Sequence, residues 1–290
     1  MLTKMLINGN KLNKYMYKII KSARNSGLNP ENVVREIFQK LILYALAYSN
    51  LDDYYIFQGG TALRIFYNSP RVSLDMDYTL VSRDLNKLIR DFTKVKNVVK
   101  KILLSEGIDV EKKSEKIIKD FYRCFLVFNT MNFLEKKIRI KIEVIERRYI
   151  DISFGRRILD IEYPFKTSVG VLVKTSSQLL VDKISSLAGG VHRNYIRWRD
   201  IFDIYWLVAK FNADIDKKYL KQEFGSWVEG VADLESLLKK LSEEKIYSEM
   251  KRELHGILPP SLLHKDLVKK YVSLTSKMIL KVLGELKNED

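Results

Sequence analysis

The chain has 290 residues, 46% of them hydrophobic, and carries 51 Lys and Arg against 36 Asp and Glu, a formal net charge of +15. That length suits two domains with substantial cores. The charge favours a polyanionic partner such as nucleic acid or nucleotide, although a merely soluble, lysine-rich protein has the same balance. One cysteine, Cys124, excludes an internal disulfide framework and a cysteine-rich metal site, and His192, His255 and His264 share no metal-ligand spacing.

The first residues, MLTKMLINGNKLNK, lack the apolar core of a signal peptide. The longest apolar run, LILYALAY (41–48), is far short of a membrane span, so a cytoplasmic protein with no membrane partner is expected. Spacing predicts a first helix over about 10–24, with Leu12, Met16, Ile19 and Ile20 on one face. A second starts at Asn29 as N-cap with Pro30 at the first helical position. YYIFQ (54–58) reads as a short buried strand, broken by Gly59–Gly60, and TALRIFY as a helix opened by that turn and ended by NSP (68–70).

RVSLDMDYTL (71–80) then reads as a strand whose one face carries Arg71, Ser73, Asp75 and Asp77. Two carboxylates about 7 Å apart along one face repel each other unless a positive charge lies between them. A charged helix follows over roughly 84–105, then strands at 122–129 and 137–146. The second of these alternates cleanly, with Ile138, Ile140, Ile142 and Val144 on one side and Arg139, Lys141 and Glu143 on the other. Beyond about residue 165 helices are expected to dominate. Thr175 and Gln178 have the spacing of a capping box, Gly189–Gly190 closes that helix, and RWRDIFDIYWLVAKF (197–211) forms the next.

Three clusters suggest chemistry, each with a plainer alternative. A glycine turn at a helix start lets backbone N–H groups meet a phosphate, but is also ordinary turn geometry. Asp75 and Asp77 suit a hard dication such as Mg²⁺, with Arg71 and Ser73 beside the phosphates it carries; the alternative is a solvated strand edge. Glu143 supplies a third carboxylate, as metal ligand or base, if its strand neighbours that of Asp75; otherwise it pairs with a basic neighbour.

With those residues in view, G-G-T-A-L-R (59–64), R-x-S-x-D-x-D (71–77), LLVDKISSLAGG (179–190) and RWRDIFDIYWL (197–207) resemble, in order, the blocks of the AbiEii/AbiGii-type nucleotidyltransferase toxins. That family lies within the DNA polymerase β-like nucleotidyltransferase superfamily. The resemblance implies an α+β fold: a polymerase β-like mixed sheet flanked by helices, then a helical C-terminal domain. It implies a catalytic domain over 1–165 and, over 166–290, a helical domain completing the site and contacting the acceptor.

It also implies Mg²⁺- or Mn²⁺-dependent transfer of a nucleotide from an NTP to an acceptor resembling a tRNA 3′ end, and a cognate antitoxin. A non-catalytic nucleic-acid or antitoxin-binding module, or modification of a protein or small molecule, are the other readings. Carried over, Gly59, Gly60 and Thr61 hold the triphosphate, with Arg64, Arg71 and Ser73 beside it. Asp75 and Asp77, with Glu143, bind metal, Lys183 offsets charge on the leaving pyrophosphate, and Asp200 polarises Lys183 or acts near the acceptor. Lys183 could equally be a solvated lysine, and Asp200 and Asp203 partners of Arg197 and Arg199. Tyr195 and Trp198 are candidates for stacking on splayed bases or, more ordinarily, anchors of the last of these helices.

Overall fold

The computed structural model describes residues 9–25, 28–147, 151–225, 229–241 and 245–287. They divide into two compact units. The first comprises the chain up to Ala62 together with 74–148 and 155–173; the second comprises 63–73, 149–154 and 174–290. The change of unit thus falls at Lys174, and the second unit draws in two segments from the front of the chain.

In the first unit α1 (Gly9–Asn25) and α2 (Pro30–Tyr48) precede β1 (Tyr55–Gln58). Asn29 caps α2 as its sequence predicts: its side chain accepts from the Glu31 N–H at 2.9 Å. Next come α3 (Gly59–Phe66), β2 (Met76–Leu80), α4 (Leu88–Leu103), β3 (Val110–Ile118), β4 (Phe121–Asn129), the single turn α5 (Met131–Leu134), β5 (Lys137–Glu146), β6 (Phe154–Ile161) and β7 (Thr167–Lys174). The seven strands form one mixed sheet in the order β3-β4-β5-β2-β1-β7-β6. β2 runs antiparallel to β1 and parallel to β5, and β1 is parallel to β7.

Period-2 alternation sorts β2, β4 and β5 into two faces. Met76, Tyr78, Tyr122, Cys124, Ile140, Ile142 and Val144 are buried on one. α2 and α4 supply the other side of that core, with Phe38 stacked on Phe128 at 4.2 Å and Phe92 on Tyr122 at 5.4 Å. The opposite face carries the polar residues. The expected strand over 71–80 forms only from Met76 onward: 71–75 is irregular, and Arg71 and Ser73 therefore share no strand face with the aspartates.

The second unit is built from α6 (Ser176–His192), α7 (Trp198–Phe211), α8 (Lys217–Phe224), α9 (Gly230–Lys240), α10 (Ile246–Leu254) and α11 (Lys265–Lys287). The capping box does not form. The Thr175 side chain makes no cap bond, while Gln178 bonds Ser153 N–H, the Asp151 carbonyl and Asp216. Nor do the glycines end α6, which runs through them to His192. A Cβ on Gly190 would stand 2.9 Å from the Tyr195 carbonyl oxygen, so the glycine serves a close backbone approach. Among the described residues no helix is long and apolar enough to cross a membrane.

Candidate active site

The first unit gathers polar groups along one line across the sheet. Gln58 of β1 stands opposite Asp77 of β2, Asp77 opposite Glu143 of β5, and Glu143 opposite Arg123 of β4. Directly opposed residues point to the same face, so the adjacency that the sequence left conditional is present. Asp75 lies just before β2. Lys141, two residues from Glu143, places its Nζ 3.0 Å from Asp75 and 2.8 Å from Glu143. Desolvation pulls the Lys141 pKa down, but the bonds to Glu143 and Asp75 outweigh it and hold it above the ordinary value.

The glycine turn packs against this row. Gly59 has φ +75, open to glycine at little cost, and a Cβ there would lie 2.1 Å from Asp77 Oδ2. Helix α3 therefore starts against the Asp77 carboxylate, with Gly60 next to it. Thr61, fully buried, donates its hydroxyl to the Asp75 carbonyl. Its visible work is to tie the segment bearing Asp75 to α3.

Among the described residues no three carboxylate, imidazole or thiol groups are gathered as a metal cage. The donors at Asp75 and Asp77 still suit a hard dication, and the Lys141 ammonium shows a positive charge being held between Asp75 and Glu143. Glu143 is engaged by that lysine, the basic-neighbour alternative of the sequence reading. The two aspartates fit a metal on donor chemistry; Glu143 would have to exchange partners to join them.

In the second unit the same residue types are arranged differently. Arg71, 4% exposed, donates Nε and Nη2 to the two carboxylate oxygens of Asp203 at 2.7 Å each. Lys183 Nζ contacts Asp200 at 2.9 Å and Asp203 at 2.8 Å, and Arg197 Nε lies 3.0 Å from Asp200. Both aspartates are fully buried. Burial pushes the Asp203 carboxyl up, and Arg71 and Lys183 bring it down past its ordinary value to about 2. Burial opposes the charge on Lys183, yet Asp200 and Asp203 keep its pKa raised.

Arg71 is thus a bidentate partner of a carboxylate where sequence placed it as a phosphate fork, and Asp203, whose partners were sought in Arg197 and Arg199, is the centre of the cluster. Arg64 bonds the Ser69 carbonyl at 3.0 Å, bracing the turn after α3. Ser73 is half-buried in the irregular segment. Trp198 is 5% exposed, an anchor of α7, whereas Tyr195 is 46% exposed. Tyr195 lines a cavity of about 630 Å³ with Trp198, Lys240, Lys245, Arg252 and Glu253.

A mixed sheet with Asp77 and Glu143 on adjacent strands, packed against a glycine-opened helix, is thus followed by a helical unit. The family model described as "Nucleotidyl transferase AbiEii toxin, Type IV TA system" matches residues 41–271, and the chain belongs to that family. No curated protein matches. Among solved structures, JHP933 from Helicobacter pylori shares 15% identity over 90% of this chain and 96% of its own, at a TM-score of 0.55. A further H. pylori chain, assigned provisionally as a nucleotidyltransferase, shares 15% over 91% and 99% at 0.54. These likenesses support the α+β fold with helical C-terminal part; the family match makes the protein a nucleotidyltransferase of the toxin type, whose substrate is an NTP and whose system includes an antitoxin.

Proposed function

We propose that the protein transfers a nucleotide from an NTP to an RNA acceptor, a tRNA 3′ end being the leading case, as a cytoplasmic toxin restrained by a cognate antitoxin. The observation that carries this reading is the row of Asp77 and Glu143 on adjacent strands, with Asp75 and Lys141 beside it and the N-terminus of α3 packed on Asp77.

In the reaction an acceptor hydroxyl oxygen bonds to the α-phosphorus, the bond to the β-phosphate oxygen breaks, and pyrophosphate leaves. Asp75 and Asp77 would hold Mg²⁺ or Mn²⁺, which supplies Lewis acidity toward the phosphates. Gly59, Gly60 and Thr61 present the start of α3, whose N–H groups and dipole suit the triphosphate. Glu143, moving from Lys141, takes the proton of the attacking hydroxyl. Lys183, held by Asp200 and Asp203, belongs to the buried cluster of the second unit. Arg64 braces the turn after α3 through the Ser69 carbonyl, and Arg71 serves by holding Asp203. The +15 charge supports a polyanionic acceptor.

The test offers purified protein each of the four α-³²P-labelled NTPs with total tRNA, with Mg²⁺ and with excess chelator. Label in RNA that chelator abolishes is the expected result. Label in polypeptide would move the acceptor to protein, and transfer indifferent to chelator would remove the metal from the reading.

A further inference from the structure

The polar face of the sheet continues outward from the carboxylate row, and it changes character as it goes. On β5, Lys141 is followed by Arg139 and Lys137; opposite them on β4 stand Phe125, Val127 and Asn129. On β3 the residues facing this side are Glu111, opposite Val127, Lys113, opposite Phe125, and Lys116, opposite Arg123. Six cations (Lys113, Lys116, Arg123, Lys137, Arg139 and Lys141) thus share a surface with two acids, Glu111 and Glu143. Lys116, Lys137 and Arg139 are exposed and have no ion-pair partner among the described residues.

The surface also carries planar groups. Phe121 and Phe125 are half-buried on it, and the Arg139 guanidinium lies over the Phe125 ring, 4.4 Å from its centroid. A guanidinium spread on an aromatic ring offers a planar, cationic platform for stacking. Phosphates spaced along a strand meet separated cations, and splayed bases meet planar faces. A double helix, with its bases already stacked, uses only the first of these.

We propose that the open face of β3, β4 and β5 binds single-stranded RNA, laying the acceptor strand along Lys137, Arg139 and Phe125 toward Asp75, Asp77 and Glu143, with Lys116 beside it in the cross-strand row of Arg123 and Glu143. The proposal rests on the RNA-acceptor reading and deepens it: charge selects a nucleic acid, and continuity of register with the carboxylate row gives the strand a direction. Phe125 and Arg139 take bases, and Lys116 and Lys137 take phosphates.

The test is fluorescence anisotropy with a labelled single-stranded RNA of about 12 nucleotides, within the span that such grooves cover, titrated at several salt concentrations without NTP. Lys116→Ala/Lys137→Ala/Arg139→Ala changes only exposed side chains. It should weaken binding at least tenfold and reduce the salt slope by about 1.4, near 0.7 for each of the two lost phosphate contacts on a single strand. Phe125→Leu keeps an apolar strand residue and should cost about fivefold or more. Asp75→Ala/Asp77→Ala should bind at least as well as wild type.

RNA binding that maps to these positions supports the proposal even where no label is transferred, a result that would count against the RNA-acceptor reading alone. Wild-type affinity and salt slope in the triple variant would overturn it. So would loss of binding only in Lys245→Ala/Arg252→Ala, which would place the strand at the Tyr195 cavity, or equal affinity for a duplex of the same length.

Discussion

Two charge clusters, one in each unit, use the same side chains to different ends. In the second unit Arg71, Lys183, Asp200 and Asp203 are buried, each acid held by two cations. In the first, Lys141 bridges Asp75 and Glu143 at side-chain exposures of 26%, 37% and 23%. A buried ion pair cannot give up a partner without leaving a charge uncompensated. A half-exposed pair loses little when it exchanges an ammonium for another cation, because water screens both states. The first arrangement therefore suits a scaffold and the second suits chemistry, although both stand within sequence blocks that resemble catalytic motifs.

The largest effect expected from this contrast is on stability. Asp203→Ala leaves Arg71 and Lys183 without their shared carboxylate and should destabilise the protein by about 3–5 kcal/mol, read as a lowered urea midpoint. Because the Asp203 pKa is depressed, its contribution is complete above the ordinary carboxylate value near 3.8 and is lost as pH falls toward 2. Stability of wild type should decline over that window, and the variant should lack that part of the decline. A midpoint unchanged from wild type would mean that the cluster is not a scaffold.

Next comes Gly59→Ala. A Cβ 2.1 Å from Asp77 Oδ2, at φ +75, forces the carboxylate aside and strains the turn by about 1–2 kcal/mol. Nucleotidyl transfer should fall well beyond what that stability loss explains; a variant equally fast and equally stable would show that Asp77 is not seated against the glycine.

Glu106→Gln concerns the core of the first unit. Burial raises the pKa of Glu106, with the Tyr163 hydroxyl offsetting part of that shift. An acid with a raised folded pKa contributes most below its unfolded value of 4.5 and loses that contribution as pH climbs through the folded value. The glutamine variant should therefore be the more stable protein at pH 7 and show a flatter profile above pH 5 in denaturation curves. The smallest effect is that of Lys141→Met: with the competing ammonium gone, calorimetry should find Mn²⁺ bound up to about fivefold more tightly, as loss of ~1 kcal/mol of partly exposed pairing allows. Weaker binding would make Lys141 a support of the site.

How much of this could be read beforehand depends on whether burial was written locally. β5 alternates between core and open face, so its limits and its facing residues were legible from KIRIKIEVIE. The N-cap at Asn29 was equally local. β3 was not legible, since VEKKSEKII lies at a sheet edge with most positions exposed and no apolar row; β6 and β7 were missed as well, and the stretch beyond about 165 where helices were expected to dominate opens with a strand that reaches Lys174. Gly189–Gly190 looked like a helix stop because a close approach by Tyr195 leaves no mark in the neighbouring residues.

The candidate site divides in the same way. Asp77 and Glu143 were singled out by strand parity, and β2 pairing with β5 supplies the adjacency that parity could not, whereas Asp75, expected on the same strand, lies just before it. The pairing of Arg71 with Asp203 spans 132 residues and had no local signal. One hint was available: Asp200 and Asp203 sit among Ile201, Ile204 and Leu207 on a helix with an apolar face, and acids so placed require buried cations.

The most direct measurement of the central claim is the Asp75→Ala/Asp77→Ala variant, followed by α-³²P transfer and by urea denaturation on the same preparation. The account predicts transfer reduced to background with the denaturation midpoint within about 1 kcal/mol of wild type, since both carboxylates are partly exposed. Transfer at the wild-type rate in a folded variant would contradict it.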